Sequence, residues 1–250
     1  MDVQDKVAVV TGASRGIGRA IAVALAAAGA DVVCTARSSE ANPSKLPGTI
    51  DQTAREVEAL GRRALAIPMN VAKDEEIEAM ARRTLAEFGR IDILVNNAAV
   101  SAPGFIMDVP VKRWDLVMDI NVRGVYLCTR AFLPTMIDQR SGCIVNISSY
   151  ASQAVGDYGL AYSVSKAALE RMTTGLAAEV RSYNIAVNAL QIERLVASEG
   201  FVYLTPGTDH STWDDPGVVG DDVLWLVKRD PTYTGHVVTL GDIERQMAQA

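Results

Sequence analysis

The chain has 250 residues, 49% hydrophobic and 22% charged, enough to bury the core of one or two globular domains. Its net charge of −6 and pI near 5.0 argue against nucleic acid and anionic membranes as partners, yet leave room for an anionic ligand in a local basic pocket. Three scattered cysteines and two histidines without ligand-like companions argue against a disulfide framework and a metal site, and for reduced thiols in a cytoplasmic protein. The start, Met1-Asp-Val-Gln-Asp-Lys6, lacks signal-peptide features, and the longest apolar stretch, 20–30, is too short to span a bilayer.

Val7-Ala-Val-Val10 predicts a strand. Thr11-Gly-Ala-Ser-Arg-Gly-Ile-Gly18 predicts a tight turn into an alanine-rich helix over 19–28, closed by Gly29. Gly12, Gly16 and Gly18 let the backbone turn and let a pyrophosphate approach the helix N-terminus. The spacing G-x-x-x-G-x-G departs from the G-x-G-x-x-G fingerprint, and a glycine turn alone is common between strand and helix. A second strand over 31–36 ends at Arg37. An acidic residue there would hold the adenosine ribose hydroxyls. Ala36 and Arg37, with Arg15 in the glycine turn, suit a 2′-phosphate instead, so NADP (NADPH) is expected over NAD. The plain alternative makes Arg37 a solvated strand-end residue.

Residues 38–48 read as a loop, 49–60 as a helix closed by Gly61, and 64–67 as a strand running toward Asn70 and Val71. Asn70 either bonds an adenine edge or is a turn asparagine. A helix over 73–88 carries Asp74, Glu75 and Glu76 at its positive end. A strand over 91–95 runs into Asn96-Asn-Ala-Ala99, whose small side chains leave room for a ligand. Helical periodicity over 111–137 places Asn121 among apolar neighbours, which reads as a satisfied core amide ahead of a functional one. Strands over 143–147 and 184–190 flank a helix over 161–176. Residues 191–220 read as irregular and aromatic-rich (Phe201, Tyr203, Trp213), a lid or substrate loop. A short helix over 221–227 and a strand over 236–240 end the pattern. This alternation predicts an α/β doubly wound parallel sheet, Rossmann-like, in a single domain over 1–250. The glycines, Asn97, Ser149 and Leu190 then gather along the ligand-binding edge.

The chemistry centres on Tyr162-Ser-Val-Ser-Lys166. Residues four apart share a helix face, and Ser149, thirteen residues before Tyr162, would arrive at the sheet edge beside them. A phenol ionises near pH 10, too high for a good base. A nearby ammonium favours the phenolate, so Tyr162 can exchange a proton with an alcohol or carbonyl oxygen that Ser149 holds. Side chains cannot accept hydride, so the trio implies a nicotinamide cofactor. Taken alone, Tyr-x-x-x-Lys on a helix is often a stacked surface pair.

Thr11-Gly-Ala-Ser-Arg-Gly-Ile-Gly18, Asn96-Asn-Ala-Ala99, Asn121, Ser149 and Tyr162-x-x-x-Lys166, in this order and spacing, resemble the short-chain dehydrogenase/reductase family over essentially the whole chain. The resemblance implies that Tyr162 is the acid/base, that Lys166 lowers its pKa and bonds the nicotinamide ribose, and that Ser149 holds the substrate oxygen. It also gives Asn121 a water linking Lys166 to solvent, against the core reading. It extends the cofactor-binding set to Gly12, Ser14, Arg15, Gly16, Ile17, Gly18, Arg37, Asn70, Val71, Asn97, Ala98, Tyr162, Lys166 and Leu195. It implies a homotetramer or homodimer through the helices at 111–137 and 162–181. The loop after Arg37, with Pro47-Gly-Thr, resembles hydroxysteroid-dehydrogenase-like members. Three positions depart from the family: Ala99 for glycine, Ile192-Glu193 for Pro-Gly, and Leu240-Gly-Asp-Ile243 for Val-Asp-Gly-Gly. Glu193 is expected to put a negative charge near the cofactor.

The leading expectation is an NADP-dependent oxidoreductase interconverting a secondary alcohol and a ketone. The substrate is expected to be apolar, from the aromatics of 191–220 with Phe105 and Tyr150. The alternatives are a non-catalytic NADP-binding sensor or scaffold, made so by Ile192-Glu193, and an apolar-ligand carrier.

Overall fold

The strand segments are apolar on both faces, which a sheet covered on both sides demands. The computed structural model describes residues 2–156 and 159–249. Met1, the first residue of the stretch read above as lacking signal-peptide features, lies outside the described residues. Strands β1 (Val7–Thr11), β2 (Asp31–Ala36), β3 (Ala64–Pro68), β4 (Ile93–Asn96), β5 (Gly142–Ser149), β6 (Ile185–Ile192) and β7 (Val237–Thr239) pair in parallel in the order β3-β2-β1-β4-β5-β6-β7. The order reverses between β1 and β4, so the two diverging crossovers open a crevice at their carboxyl ends. This is the expected doubly wound parallel sheet.

Alternate residues build the two cores, because side chains of a strand point to opposite faces in turn. Ala8, Val10, Val32, Cys34, Ile93 and Val95 pack with Ile21 and Leu25 of α1 (Gly16–Ala27) and Val219 and Val223 of α8 (Pro216–Lys228). Val9, Val33 and Leu94 pack on the other face with Ile77 and Met80 of α3 (Asp74–Phe88) and Phe132 and Met136 of α5 (Gly124–Gln139). Helix α2 (Ile50–Ala59) starts with a capping box made by Thr49 and Gln52.

Four expectations change in detail. The helix over 111–137 is α4 (Val111–Met118) and α5 joined by one π turn, Asp119–Arg123, which holds Asn121. Such turns re-aim the side chains they contain. Gly124 follows because a Cβ there would lie 2.7 Å from the Val71 carbonyl oxygen. The segment 191–220 is less irregular than expected: β6 runs to Ile192, α7 (Glu199–Leu204) forms within it, and α8 starts at Pro216 behind the Asp215 cap. The helix after Ser149, α6 (Leu160–Val180), extends beyond 161–176. Finally, the last strand stops at Thr239, and Leu240 opens α9 (Leu240–Met247), capped by the reciprocal pair Thr239 and Asp242.

Among the described residues no helix is long and apolar enough to cross a membrane. Cys34, Cys128 and Cys143 are free and buried, and burial pushes each thiol up to about 12, where it stays protonated and unreactive.

Candidate active site

The glycine turn lies between β1 and α1 and is fixed from behind by β4. Thr11 Oγ1 accepts from the backbone N–H groups of Asn97 (3.0 Å) and Ala98 (3.1 Å). Asn97 Nδ2 donates to the Thr11 carbonyl at 2.8 Å. Gly12 and Gly16 have φ of 71° and 53°, the left-handed region that glycine enters without strain. At Gly18 a Cβ would stand 2.3 Å from the Gly12 carbonyl oxygen and 2.5 Å from Asn97 Nδ2, so only glycine lets α1 start this close to the strand. The result is a cradle of open backbone N–H groups at a helix N-terminus, the usual seat of a pyrophosphate.

The cleft beside this cradle has a volume of about 390 Å³ and is lined by Gly12, Ser14, Arg15, Gly16, Ile17, Gly18, Arg37, Asn70, Val71, Asn97 and Ala98. These are the sequence-predicted cofactor residues apart from Tyr162, Lys166 and Leu195. Leu195 is 53% exposed and does not line this cleft; its carbonyl accepts instead from the Asp214 N–H at 2.8 Å. The cleft also takes Ser198 and Gly200, which the sequence reading missed. Their approach follows from the bridge Val196–Asp214, a pairing that no periodicity announces. The segment comes so close that a Cβ on Gly16 would lie 2.9 Å from the Ser198 side chain and 3.2 Å from a Glu199 carboxylate oxygen.

The two arginines differ. Arg15 donates to the carbonyls of Pro47, Leu46 and Gly48 and to the hydroxyls of Ser38 and Ser44, at 2.7–3.2 Å. It is thus an organiser of the 38–48 loop. Burial holds its pKa below the ordinary guanidinium value; Glu199 pulls it up and the like charge of Arg37 pulls it down. Arg37 is exposed, and no described residue pairs with it. Asn70 lines the cleft wall, and its Oδ1 accepts from the Ala72 N–H at 3.1 Å.

Ser149 ends β5, and its Oγ accepts from the Ala151 N–H at 3.3 Å. Lys166 is 3% exposed and donates to the Ile147 carbonyl at 2.7 Å. Its Nζ lies 5.5 Å from the centre of the Tyr162 ring, so the three groups named from spacing meet at one sheet edge. Burial raises the Tyr162 pKa above the ordinary phenol value, while a hydrogen bond with Ser149 pulls it down. Burial lowers Lys166 to about 8, and Glu170 opposes that. Desolvation by burial is the largest influence on the phenol and favours its protonated form. The phenol is protonated at neutral pH, and in that form it can give a proton to an oxygen held by Ser149.

Asn121 is 1% exposed. Its Oδ1 accepts from the Val100 N–H at 2.9 Å, and its Nδ2 donates to the Val100 carbonyl at 2.9 Å and to Ser165 Oγ at 3.0 Å. Through these bonds the side chain ties the segment after β4 to the helix that bears Tyr162.

Glu193 does not face the cleft. Its carboxylate accepts from the backbone N–H groups of Leu240 (3.1 Å) and Gly241 (2.8 Å), at the start of α9, where the helix dipole favours an anion. The expectation of a negative charge near the cofactor is thereby corrected. With no proline in the way, β6 continues its ladder to pair Ser148 with Gln191 and Ser149 with Ile192.

The short chain dehydrogenase family matches residues 6–195. The 3-oxoacyl-[acyl-carrier-protein] reductase of Synechocystis sp. is 42% identical over 187 residues, 74% of this chain and 72% of that protein. Hydroxysteroid dehydrogenase-like protein 2 of Homo sapiens is 34% identical over 92% of this chain, which spans 55% of that relative's length. A metagenomic short-chain oxidoreductase solved in complex with NADP is 33% identical and superposes with a TM-score of 0.79, covering 96% of this chain and 97% of that one. With the glycine cradle, the sheet order and these similarities agreeing, the chain belongs to the short-chain dehydrogenase/reductase family of oxidoreductases.

Proposed function

We propose that the chain is an NADPH-preferring reductase that interconverts a ketone and a secondary alcohol on an apolar substrate. The observation that carries this is the meeting of Ser149, Tyr162 and a fully buried Lys166 at the sheet edge next to the glycine cradle. The cofactor fits because Gly12, Gly16 and Gly18 leave room where a Cβ would collide, and because Arg37, without a partner among the described residues, lines the cleft with Arg15 near it. When bound, the nicotinamide supplies or accepts the hydride. Ser149 then holds the carbonyl oxygen, Tyr162 gives it a proton on reduction or takes one on oxidation, and the Lys166 charge favours the ionised phenol. Arg37 pairs with the 2′-phosphate.

An apolar substrate is supported by Phe105, Tyr150, Phe201 and Tyr203, which stay 40–67% exposed, and 191–220 serves as the substrate loop. The similarity to 3-oxoacyl reductases makes a 3-oxoacyl thioester the first compound to try. The chain assembles as a homodimer or homotetramer through α4, α5 and α6, where Tyr126 and Val164 are exposed. Its work place is the cytoplasm, in keeping with free buried thiols. The non-catalytic reading depended on Glu193 near the cofactor, and that carboxylate is held by α9 instead.

The test is a fluorescence titration with NADPH and with NADH, followed by NADPH oxidation in the presence of a 3-oxoacyl thioester and a panel of ketones. Tighter NADPH binding with carbonyl-dependent oxidation is expected. Equal binding of both nucleotides would overturn the 2′-phosphate reading, and NADPH binding without turnover on any carbonyl would overturn the enzyme reading.

A further inference from the structure

Behind the catalytic edge lies a carboxylate that the mechanism above does not use. Glu170 stands one helical turn after Lys166 on α6, so both side chains leave the same face. A single oxygen, Oε1, accepts from Ser148 Oγ at 2.6 Å, Ser152 Oγ at 2.7 Å and Gln191 Nε2 at 2.9 Å. Gln191 also donates to Ser152 Oγ at 3.0 Å. These donors come from β5, from the turn after it and from β6. Two of them, Ser148 and Gln191, are opposite each other in the sheet, immediately before Ser149 and Ile192.

The same two residues of β5 hold both charges. The Ile147 carbonyl takes the Lys166 ammonium, and the next residue, Ser148, gives its hydroxyl to Glu170. The geometry points to Glu170 as a positioning residue that keeps the Lys166 ammonium charged and locks the ends of β5 and β6 beneath the catalytic trio. The inference rests on the reductase reading for its consequence in turnover, but not for its electrostatics. Lys166 is 3% exposed, and burial costs its charged form heavily; a carboxylate held a turn away is the compensating charge. Consistent with that, Glu170 is the group that raises the lysine's pKa against burial.

Among the described residues, the other titratable groups on the elements packed on this stretch of α6 are Tyr162 on the helix itself, Tyr150 in the turn after β5, Asp119 and Arg123 of the π turn, and Lys112, Arg113 and Asp115 of α4. Arg123 is paired with Asp74. From β5 and β6, Ser148 and Gln191 reach Glu170 and Asn146 reaches Thr173, and the π turn contributes the Asn121 amide through Ser165.

The test is a pH titration of Lys166 by NMR of the full chain with isotope-labelled lysine, its signal assigned by its loss in Lys166→Arg. In the wild type the midpoint is expected at about 8. In Glu170→Gln, whose amide oxygen can still accept the three donors, it is expected to fall by about half a pH unit or more. Glu170→Asp keeps the charge and is expected to stay near the wild type. Glu170→Met, of similar length and without charge, carries the test if the glutamine variant melts early. An unmoved midpoint in whichever neutral variant folds would overturn the proposal. The measurement needs no substrate, so it stands or falls separately from the reductase reading. If a 3-oxoacyl thioester is turned over, the alkaline limb of its reduction is expected at lower pH in Glu170→Gln. An unshifted limb with lower activity at every pH would reduce Glu170 to a structural residue.

Discussion

The carboxylate of Glu193 sits on the backbone N–H of Gly241, 2.8 Å away, with the Leu240 N–H beside it at 3.1 Å. A residue that stands where the family resemblance leads one to expect a glycine thus acts as the anion at the start of the last helix. It ties the end of β6, beneath the cofactor cleft, to the C-terminal segment. Removing it by Glu193→Ala is expected to cost about 1 kcal/mol, as losing a charged N-terminal acceptor does. A thermal melt should show a lowered Tm with NADPH affinity little changed. A loss of affinity at unchanged Tm would mean that the carboxylate acts on the cleft instead.

Gly18 is the tightest point of the cradle. Gly18→Ala places a methyl 2.3 Å from the Gly12 carbonyl oxygen, and the turn must open to accept it. Overpacking of this kind costs about 1–3 kcal/mol, which, if it falls on the bound state, is roughly 5- to 150-fold in affinity for whatever the turn binds. NADPH titration of the folded variant checks this, and wild-type affinity would remove the glycine turn from the binding site.

Arg37 lines the cleft and has no side-chain partner among the described residues. Arg37→Ala is expected to weaken NADPH by roughly 10- to 100-fold, as loss of a charge-assisted bond to phosphate does, and to leave NADH nearly unchanged. Because Arg15 is bound to the 38–48 loop, its replacement should instead loosen that loop and lower the affinity for both nucleotides. Equal losses for both nucleotides in Arg37→Ala would leave it as a solvated strand-end residue.

Asp222 in α8 gives a pH-dependent stability. It is 6% exposed, and its Oδ2 has no hydrogen-bond partner among the described residues. Burial pushes its pKa up to about 6 from 3.8; Arg194 pulls it down, while Glu244, Asp221 and Glu193 push it further up. The folded state therefore favours the protonated carboxyl. The stabilisation is complete below pH 3.8 and is lost as pH rises through about 6, above which the buried carboxylate is a net cost. Asp222→Asn should raise stability by about 1–2 kcal/mol at neutral pH and little under acidic conditions. Denaturant melts at both pH values check this; a variant less stable than wild type at neutral pH would contradict it.

The sheet and most of its helices were legible because period and punctuation are local: apolar runs ending in Gly12, Arg37 and Asn97, and helices closed by Gly29, Gly61 and Gly89. The trio was legible because two of its members lie on one helix at a fixed spacing. What stayed hidden depends on distant pairing. The approach of Ser198 and Gly200 to the cleft follows from the Val196–Asp214 bridge, and the destination of the Glu193 carboxylate from α9 packing against β6. The Thr239-x-x-Asp242 cap was a local signal for α9, but eight residues make a weak period. Burial is equally invisible to spacing: the pattern sets Lys166 near Tyr162, but the desolvation that pushes the phenol's pKa up depends on the folded surroundings.

The most direct test of the central claim is the Tyr162→Phe variant, which removes one oxygen at the sheet edge. NADPH binding and carbonyl-dependent NADPH oxidation should be measured side by side in wild type and variant. Binding within about twofold and turnover reduced by a factor of roughly 100 or more are expected, the size of a lost acid/base step. Turnover equal to wild type would contradict the role of Tyr162 and, with it, the reading of Ser149, Tyr162 and Lys166 as a reaction centre.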